Sequence, residues 1–383
     1  MGKQDNGHAT RKRQGRCTGM KVVVFGGAGD MGSEAARDLA ARRAVGKVII
    51  ADASRRRAEP ICEEIGSKAE FVRIDALNHD RVVETMKRAD VALGCLGPFY
   101  RFEEKLVRAA MEARVGYVSI CDDHDAAETV LAMDRDIRKA GIAVLCGMGW
   151  TPGLSNVLAR KGMDSMDEAR RIHIYWACSA DDAQGLAVVD HLLHIFNGNA
   201  PTYKGGRWKQ IEAGSGEEHI EFPEPVGKLP VCHLGHPEPI TIPHFYKNLE
   251  EVTLKGGVAP AWLNAVARGM SRFKLTNTPE SRSRAASAIR WLTPALGRAG
   301  AGMSALRVDV HGITNGAPAR LIYTAVDHMR RLTGIPAAIG TIMLGSGQIE
   351  AKGFLAPEIA VDPDAFLEEL SKRKVKVTLP DGA

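Results

Sequence analysis

No stretch of this chain approaches the roughly eighteen uninterrupted apolar residues that a membrane-spanning helix requires. None supplies the apolar core that a secretory signal carries behind its basic start, so a cytoplasmic protein without membrane partners is expected. Paired cysteines are missing too. The seven cysteines, at positions 17, 62, 95, 121, 146, 178 and 232, form no C-x-x-C, which argues against zinc knuckles and a disulfide framework; no metal is expected. Internal repeats are absent. Net charge is only +5 over 383 residues, and much of the basic excess precedes residue 17, where Lys3, Arg11, Lys12, Arg13 and Arg16 face Asp5 alone. Scattered charges among Gly and Gln read as a disordered basic leader over residues 1–20, not as a nucleic-acid-binding arm.

What is present is an ordinary globular composition, 45% hydrophobic and 25% charged, in a chain long enough for two domains. Between Lys21 and Cys146 six short runs (KVVVF, KVII, EFVRI, DVALG, GYVSI and GIAVLC) alternate with amphipathic stretches. Strands buried on both faces read as such near-continuous apolar runs, so residues 21–150 are expected to form an α/β domain of the Rossmann type, a doubly wound parallel sheet. After Trp150 the pattern changes to longer alternating strands, a loop-rich region from Asn197 to Pro243, and a hairpin signal at Asn315-Gly316. A second, α+β domain for substrate binding and dimerisation is expected over 151–333. Residues 334–383, with Pro336 in the first turn of an apolar helix, are expected to return to the first domain.

Gly27-Ala28-Gly29-Asp30-Met31-Gly32 fits G-x-G-x-x-G, follows the strand ending at Phe25 and opens a helical pattern. Gly27 suits the tight turn, Gly29 the approach of a pyrophosphate, and Gly32 close helix packing, with helix N–H groups offered to the phosphates. Asp52 arrives at the expected distance to accept from an adenosine ribose, which favours NAD; after Ala53 and Ser54 come Arg55, Arg56 and Arg57, which offer a 2′-phosphate site and favour NADP. The cofactor is therefore NAD or NADP, with NAD ahead. Asp75, after the third strand, either neighbours the adenine or caps the next helix.

Ligands of such sheets lie beyond the carboxyl ends of the strands, where this chain carries Gly97-Pro98-Phe99-Tyr100, Cys121-Asp122-Asp123-His124 and Gly149-Trp150-Thr151-Pro152-Gly153. With Gly116-Tyr117-Val118 and the glycine motif upstream, these segments resemble the saccharopine dehydrogenase family, the lysine 6-dehydrogenase branch in particular. The resemblance extends over most of the chain, to GLAVVDHLLHIFNGNAPTYKGGRW and Leu254-Lys255-Gly256-Gly257 in the second domain. Lys255 and Ser119 depart from the family pattern. The resemblance implies hydride transfer at a carbon–nitrogen bond of an amino-acid-like small molecule, and a homodimer.

Such chemistry needs a group that gives and takes a proton at the substrate nitrogen. Asp122, Asp123 and His124, with Tyr100 across the crevice, are the catalytic candidates; the same residues also suit the start of a helix. Thr151-Pro152-Gly153 reads as a helix start whose free N–H groups receive a substrate carboxylate. His233, His236 and Lys255 are the second-domain candidates for substrate contacts. An opine-type reductase forming a secondary amine, or a non-catalytic nucleotide-binding regulator, would use the same fold.

Overall fold

The computed structural model describes residues 19–183, 185–292 and 302–380; the basic leader lies outside them except at its end. Val22, Val23, Val24 and Phe25 have no solvent exposure, as an apolar strand covered on both faces requires. That strand, Met20–Phe25, sits inside a parallel sheet. Its order is Gly353–Leu355, Ala143–Leu145, Gly116–Ser119, Val91–Gly94, Met20–Phe25, Val45–Asp52, Ala69–Arg73. The chain leaves the first strand towards one edge and returns to the other side of it at Val91–Gly94. A crevice opens there, beyond the carboxyl ends of the strands.

The second sheet is built on the long strand Glu168–Ser179. Glu251–Ala259 lies parallel to it and Ser304–Thr314 antiparallel. The expected hairpin forms: Asn315 (φ 53°) and Gly316 (φ 75°) occupy the left-handed region in the turn that joins Ser304–Thr314 to Ala317–Asp327. The region read as loop-rich contains strands Asn199–Lys204, Trp208–Glu212, Glu218–Glu221 and Lys228–His233 and helix Glu238–Phe245. These strands are short, and their turns carry Gly205, Gly206, Gly214, Gly216 and Gly227 at positive φ, so punctuation outweighs periodicity in the sequence.

The C-terminal segment differs from expectation in two ways. Its helix runs Met329–Gly345, beginning before Pro336, which lies buried in the helix interior among Ile335, Ala337, Ala338 and Ile339. Burial of that apolar face against helix Asp30–Ala40 outweighs the lost backbone hydrogen bond. The approach is close: a Cβ at Gly334 would lie 2.8 Å from the Met31 carbonyl oxygen. Beyond it the chain serves both domains, because Gly353–Leu355 joins the first sheet, whereas Val377–Thr378 pairs with Ala317–Asp327 of the second. Arg373, buried, bonds Asp38 at 2.9 Å. A chain ended before Gly334 is expected to precipitate or lose dinucleotide affinity, since its removal uncovers Ala35, Ala36 and the edge strand Ala143–Leu145. A soluble product with normal affinity by fluorescence titration would show that the segment is dispensable.

Candidate active site

The glycine loop adopts the shape that its sequence requires, with one reassignment. Gly26, at φ +74°, makes the left-handed turn, and a Cβ there would stand 2.6 Å from the Cys95 carbonyl oxygen. Gly27, expected in that role, is needed instead for packing, since a Cβ there would lie 2.9 Å from the Val24 carbonyl oxygen. A side chain at Gly32 would overlap the Gly26 carbonyl. Gly29 is different: its φ is −81°, and an added Cβ would meet only the Gly26 oxygen, at 3.2 Å. The space beside it belongs to the cleft. No side chain caps helix Asp30–Ala40, so its first-turn N–H groups are available to an anion.

Ala28, Gly29, Asp30, Met31, Gly97 and Pro98 line a cleft of about 1730 Å³, above the range of roughly 300–1,000 Å³ common for small-ligand sites and ample for a dinucleotide and a second molecule. Asp52 is buried at the end of its strand, where it accepts from the N–H groups of Ala28 (3.1 Å) and Ser54 (2.9 Å). Exposed Ala53 follows. Arg55 does not face the cleft: it pairs with Glu59 at 3.1 Å and lies over Phe71. Two helical steps on, the opposite face presents Arg57, which lines the cleft 3.5 Å from Asp52. Asp75 makes a local turn by accepting from Leu77 N–H at 2.9 Å, and Asn78 caps the next helix.

At the inner end of the cleft, between the domains, side chains from three segments meet. Tyr100 and Asp122 come from the carboxyl edge of the first sheet, whereas Asp190, His191 and His194 come from helix Leu186–Ile195 of the second domain. His191 Nδ1 lies 2.8 Å from Asp123 and 3.3 Å from Asp122. Burial pushes the Asp122 carboxyl up to about 6; the charge of His191 opposes this and that of Asp123 adds to it. Burial also acts to raise Asp123, but the hydrogen bond and charge of His191 prevail and hold it at about 2. Although burial works against a charge on His191, Asp122 and Asp123 outweigh it and lift the imidazole to about 9. The result is an imidazolium shared between two carboxylates, of which only Asp122 reaches the crevice wall. The same three side chains bring ligand atoms within 4.8 Å of one another, a spacing that also suits a metal ion.

Asp123 stands at the start of helix His124–Ala132 but does not cap it. Its other oxygen accepts from the Tyr100 N–H at 2.9 Å, so it ties the two strand ends together. The Tyr100 hydroxyl donates to Asp190 at 2.9 Å, and its ring lies beneath the Arg282 guanidinium.

The saccharopine dehydrogenase NADP-binding domain model matches residues 22–145. The match covers the dinucleotide-binding domain, and the fold of the whole chain is that of a saccharopine dehydrogenase. Carboxyaminopropylagmatine dehydrogenase of Synechocystis is 24% identical over 92% of this chain and 96% of that protein. Saccharopine dehydrogenase (L-Glu forming) of Saccharomyces cerevisiae shares the fold, with a TM-score of 0.65 at 18% identity, over 94% of this chain and all of that one. The glycine cradle and uncapped helix fit the dinucleotide that a saccharopine dehydrogenase-type domain binds. No described helix is long and apolar enough to cross a membrane.

Within this saccharopine dehydrogenase fold, several residues singled out from sequence take other positions. His124 is turned from the crevice, its ring stacked on His194 and set against Gly235, and burial lowers its pKa. Phe99 is buried as the first residue of helix Phe99–Ala113 and lines the crevice floor. The Thr151-Pro152-Gly153 turn offers no open anion site, because the helix starts only at Leu154 and its N–H groups are already bonded. Gly153 donates to Asn156 Oδ1, Leu154 to Gly149 and Ser155 to Trp150. Thr151 donates its hydroxyl proton to Glu238 at 2.5 Å. His233 and Lys255 pair across neighbouring strands outside the crevice, with Lys255 held by Glu218 (2.8 Å) and the Gly216 carbonyl. Strand alternation explains this, since the next residue, Gly256, is the one that faces the Trp176 ring. His236 alone of the three lies in the crevice.

Sequence reasoning gave no role to Asp190, Glu238, Trp150 or Trp176, and placed His191 only within a second-domain group of histidines read as polar substrate contacts or surface residues in preference to metal ligands. A usable signal existed: Asp190 and His194 are four apart, and His191 and His194 three apart, on one helix. Ser119, where the family pattern has an acid, donates to buried Glu103 at 2.5 Å. Burial raises Glu103 to about 7.

Proposed function

We propose that the chain catalyses NAD(P)-dependent hydride transfer at a carbon–nitrogen bond of a carboxyl-bearing amine. The observation that carries this reading is the Asp122–His191–Asp123 group at the inner end of a dinucleotide cleft. A bound nicotinamide ring supplies or accepts the hydride. Asp122, ionised above about 6, takes the proton from the substrate nitrogen during oxidation and returns it during imine reduction. Its neighbour His191, charged up to about 9, holds Asp122 in position and stabilises its ionised form. Asp123 orients both His191 and the Tyr100 backbone, while the Tyr100 hydroxyl and Asp190 border the space left for substrate. The substrate class is supported by the Synechocystis relative, which takes its name from carboxyaminopropylagmatine, a carboxyl-bearing amine.

NAD is the cofactor favoured by Asp52, whose carboxylate stands where an adenosine ribose would be received and disfavours a 2′-phosphate. Arg57 at its rim is the residue that would accept one. Asp52→Ser is expected to weaken NAD and improve NADP, whereas Arg57→Ala lowers NADP affinity alone. Reduction of each dinucleotide by amino acids, carboxyalkylated polyamines and secondary amines, and the reverse reaction with amine and oxo-acid pairs, tests both claims. Tight cofactor binding without turnover of any amine would instead identify a nucleotide-binding regulator.

A further inference from the structure

The cleft has a wall, supplied by the second domain, that is apolar and uncovered. Helix Trp262–Arg272 presents Trp262, Leu263, Val266, Ala267 and Met270 along one stripe, the spacing with which a helix ordinarily faces a core. Here the stripe lines the cleft, with Trp262 49% and Val266 45% exposed. The helix is fastened from another side by Asn264, its only buried residue, which accepts from the Val258 N–H at 2.9 Å and donates to the Val258 carbonyl at 3.1 Å. Helix Leu186–Ile195 adds a second apolar row, Leu186, Val189 and Leu193. On its flank, Val188 and Leu192 border both this outer space and the inner pocket lined by Asp122, so the two spaces adjoin there.

An apolar stripe left in water is unfavourable, and an apolar group that covers it is bound. The dinucleotide is a poor candidate for that role. Its pyrophosphate and riboses are polar, and the glycine loop, Asp52 and Arg57 that suit them belong to the first domain. A second copy of the chain is a poor candidate too, because the stripe lines a recess between the domains that a folded surface does not enter. None of the five residues of the stripe carries a charge, and the cleft, at about 1730 Å³, has room for a second molecule beside the dinucleotide.

We propose that this wall receives an extended apolar arm of the substrate, which reaches it past Val188 and Leu192 while the reacting amine occupies the inner pocket. This rests on the proposed reaction and narrows its substrate to a carboxyl-bearing amine with an alkyl or aryl substituent several carbons long. The inner pocket then holds the reacting group, and the outer wall sets the preference among amines. Because burial of apolar surface is non-directional, the wall selects by length and polarity and not by one fixed shape.

The test uses the full chain saturated with NADH, a complex in which an amine binds without being oxidised, and calorimetric titration with N-alkylglycines from N-methyl to N-octyl. From N-propyl upward, each added methylene is expected to lower Kd by about three- to fourfold. N-(ω-aminoheptyl)glycine, matched in length to N-octylglycine but ending in an ammonium, should bind about tenfold more weakly or worse than the octyl compound, since the stripe offers that charge no partner. Val266→Asp, at a half-exposed position, should flatten the series, and Val266→Leu should preserve it; NADH affinity and thermal melting report that both variants are folded. Octanol, with neither amine nor carboxyl, should bind wild type and not Val266→Asp. The assignment is overturned if N-alkylglycines bind without gaining from length, if the ω-amino compound binds as tightly as the octyl one, or if the series survives Val266→Asp. It is overturned equally if sedimentation shows that Val266→Asp dissociates a dimer, which would give the stripe to a second copy. If no N-alkylglycine binds but octanol does so through Val266, the proposed reaction fails and the apolar wall stands; if neither binds, the wall itself is overturned.

Discussion

Asp122→Asn is expected to lower turnover by about 10²-fold or more, the range of a lost general acid–base group, with cofactor affinity unchanged. Asn keeps the size and one acceptor of Asp122 but cannot titrate. In the wild-type enzyme the base must be ionised and the neighbouring imidazole charged. Activity should therefore rise with pH as Asp122 loses its proton near 6, and fall as His191 loses its own near 9. These limbs belong to the coupled group and not to either residue alone. In the variant the acidic limb should vanish, and the alkaline limb should move to lower pH, because His191 has lost one of the two carboxylates that sustain its charge. Steady-state and single-turnover rates across pH, beside cofactor titrations and melting curves, check each part. Wild-type rates with a small change in melting temperature would reduce Asp122 to a structural residue.

Gly29→Val should weaken dinucleotide binding by about 100-fold or more, equivalent to roughly 3 kcal/mol, in a protein that stays folded. The backbone at Gly29 is open to any L-residue, and its Cβ would meet a single protein atom within 4 Å, the Gly26 carbonyl oxygen at 3.2 Å, a tight contact that a shift of a few tenths of an ångström relieves. What the side chain would obstruct is the path of the pyrophosphate to the helix N-terminus. Gly32→Ala provides the contrast, since its methyl would overlap the Gly26 carbonyl and should damage folding itself. Cofactor fluorescence titration and thermal melting of both variants separate the two roles. Normal affinity in folded Gly29→Val would remove the dinucleotide cleft from the account.

The first domain was legible because its rules are local and periodic. Apolar runs such as VVVF report burial on both faces, and the glycine spacing reports a turn into a helix, whichever residues lie elsewhere. Even there the left-handed residue is Gly26 and not Gly27, at a point where a side chain would collide with the Cys95 carbonyl just beyond a neighbouring strand. In the second domain short strands separated by glycine turns resembled loop, and Pro336 resembled a helix start because burial against another helix is invisible to a local rule.

By itself the sequence determined a dinucleotide domain, the acid Asp52 at the end of its second strand, and an acidic pair at the sheet edge, all of which follow from spacing along one chain segment. Only the tertiary structure decided which of these groups share a site. His191 reaches Asp122 and Asp123 across 68 or more residues of chain, the Thr151 turn is closed by its own helix, and Lys255 is carried away by strand alternation. The physical reason is that charge and hydrogen-bond satisfaction act through distances of a few ångströms in space. Burial of Asp122, Asp123 and His191 between two domains turned residues with ordinary titration into one coupled group.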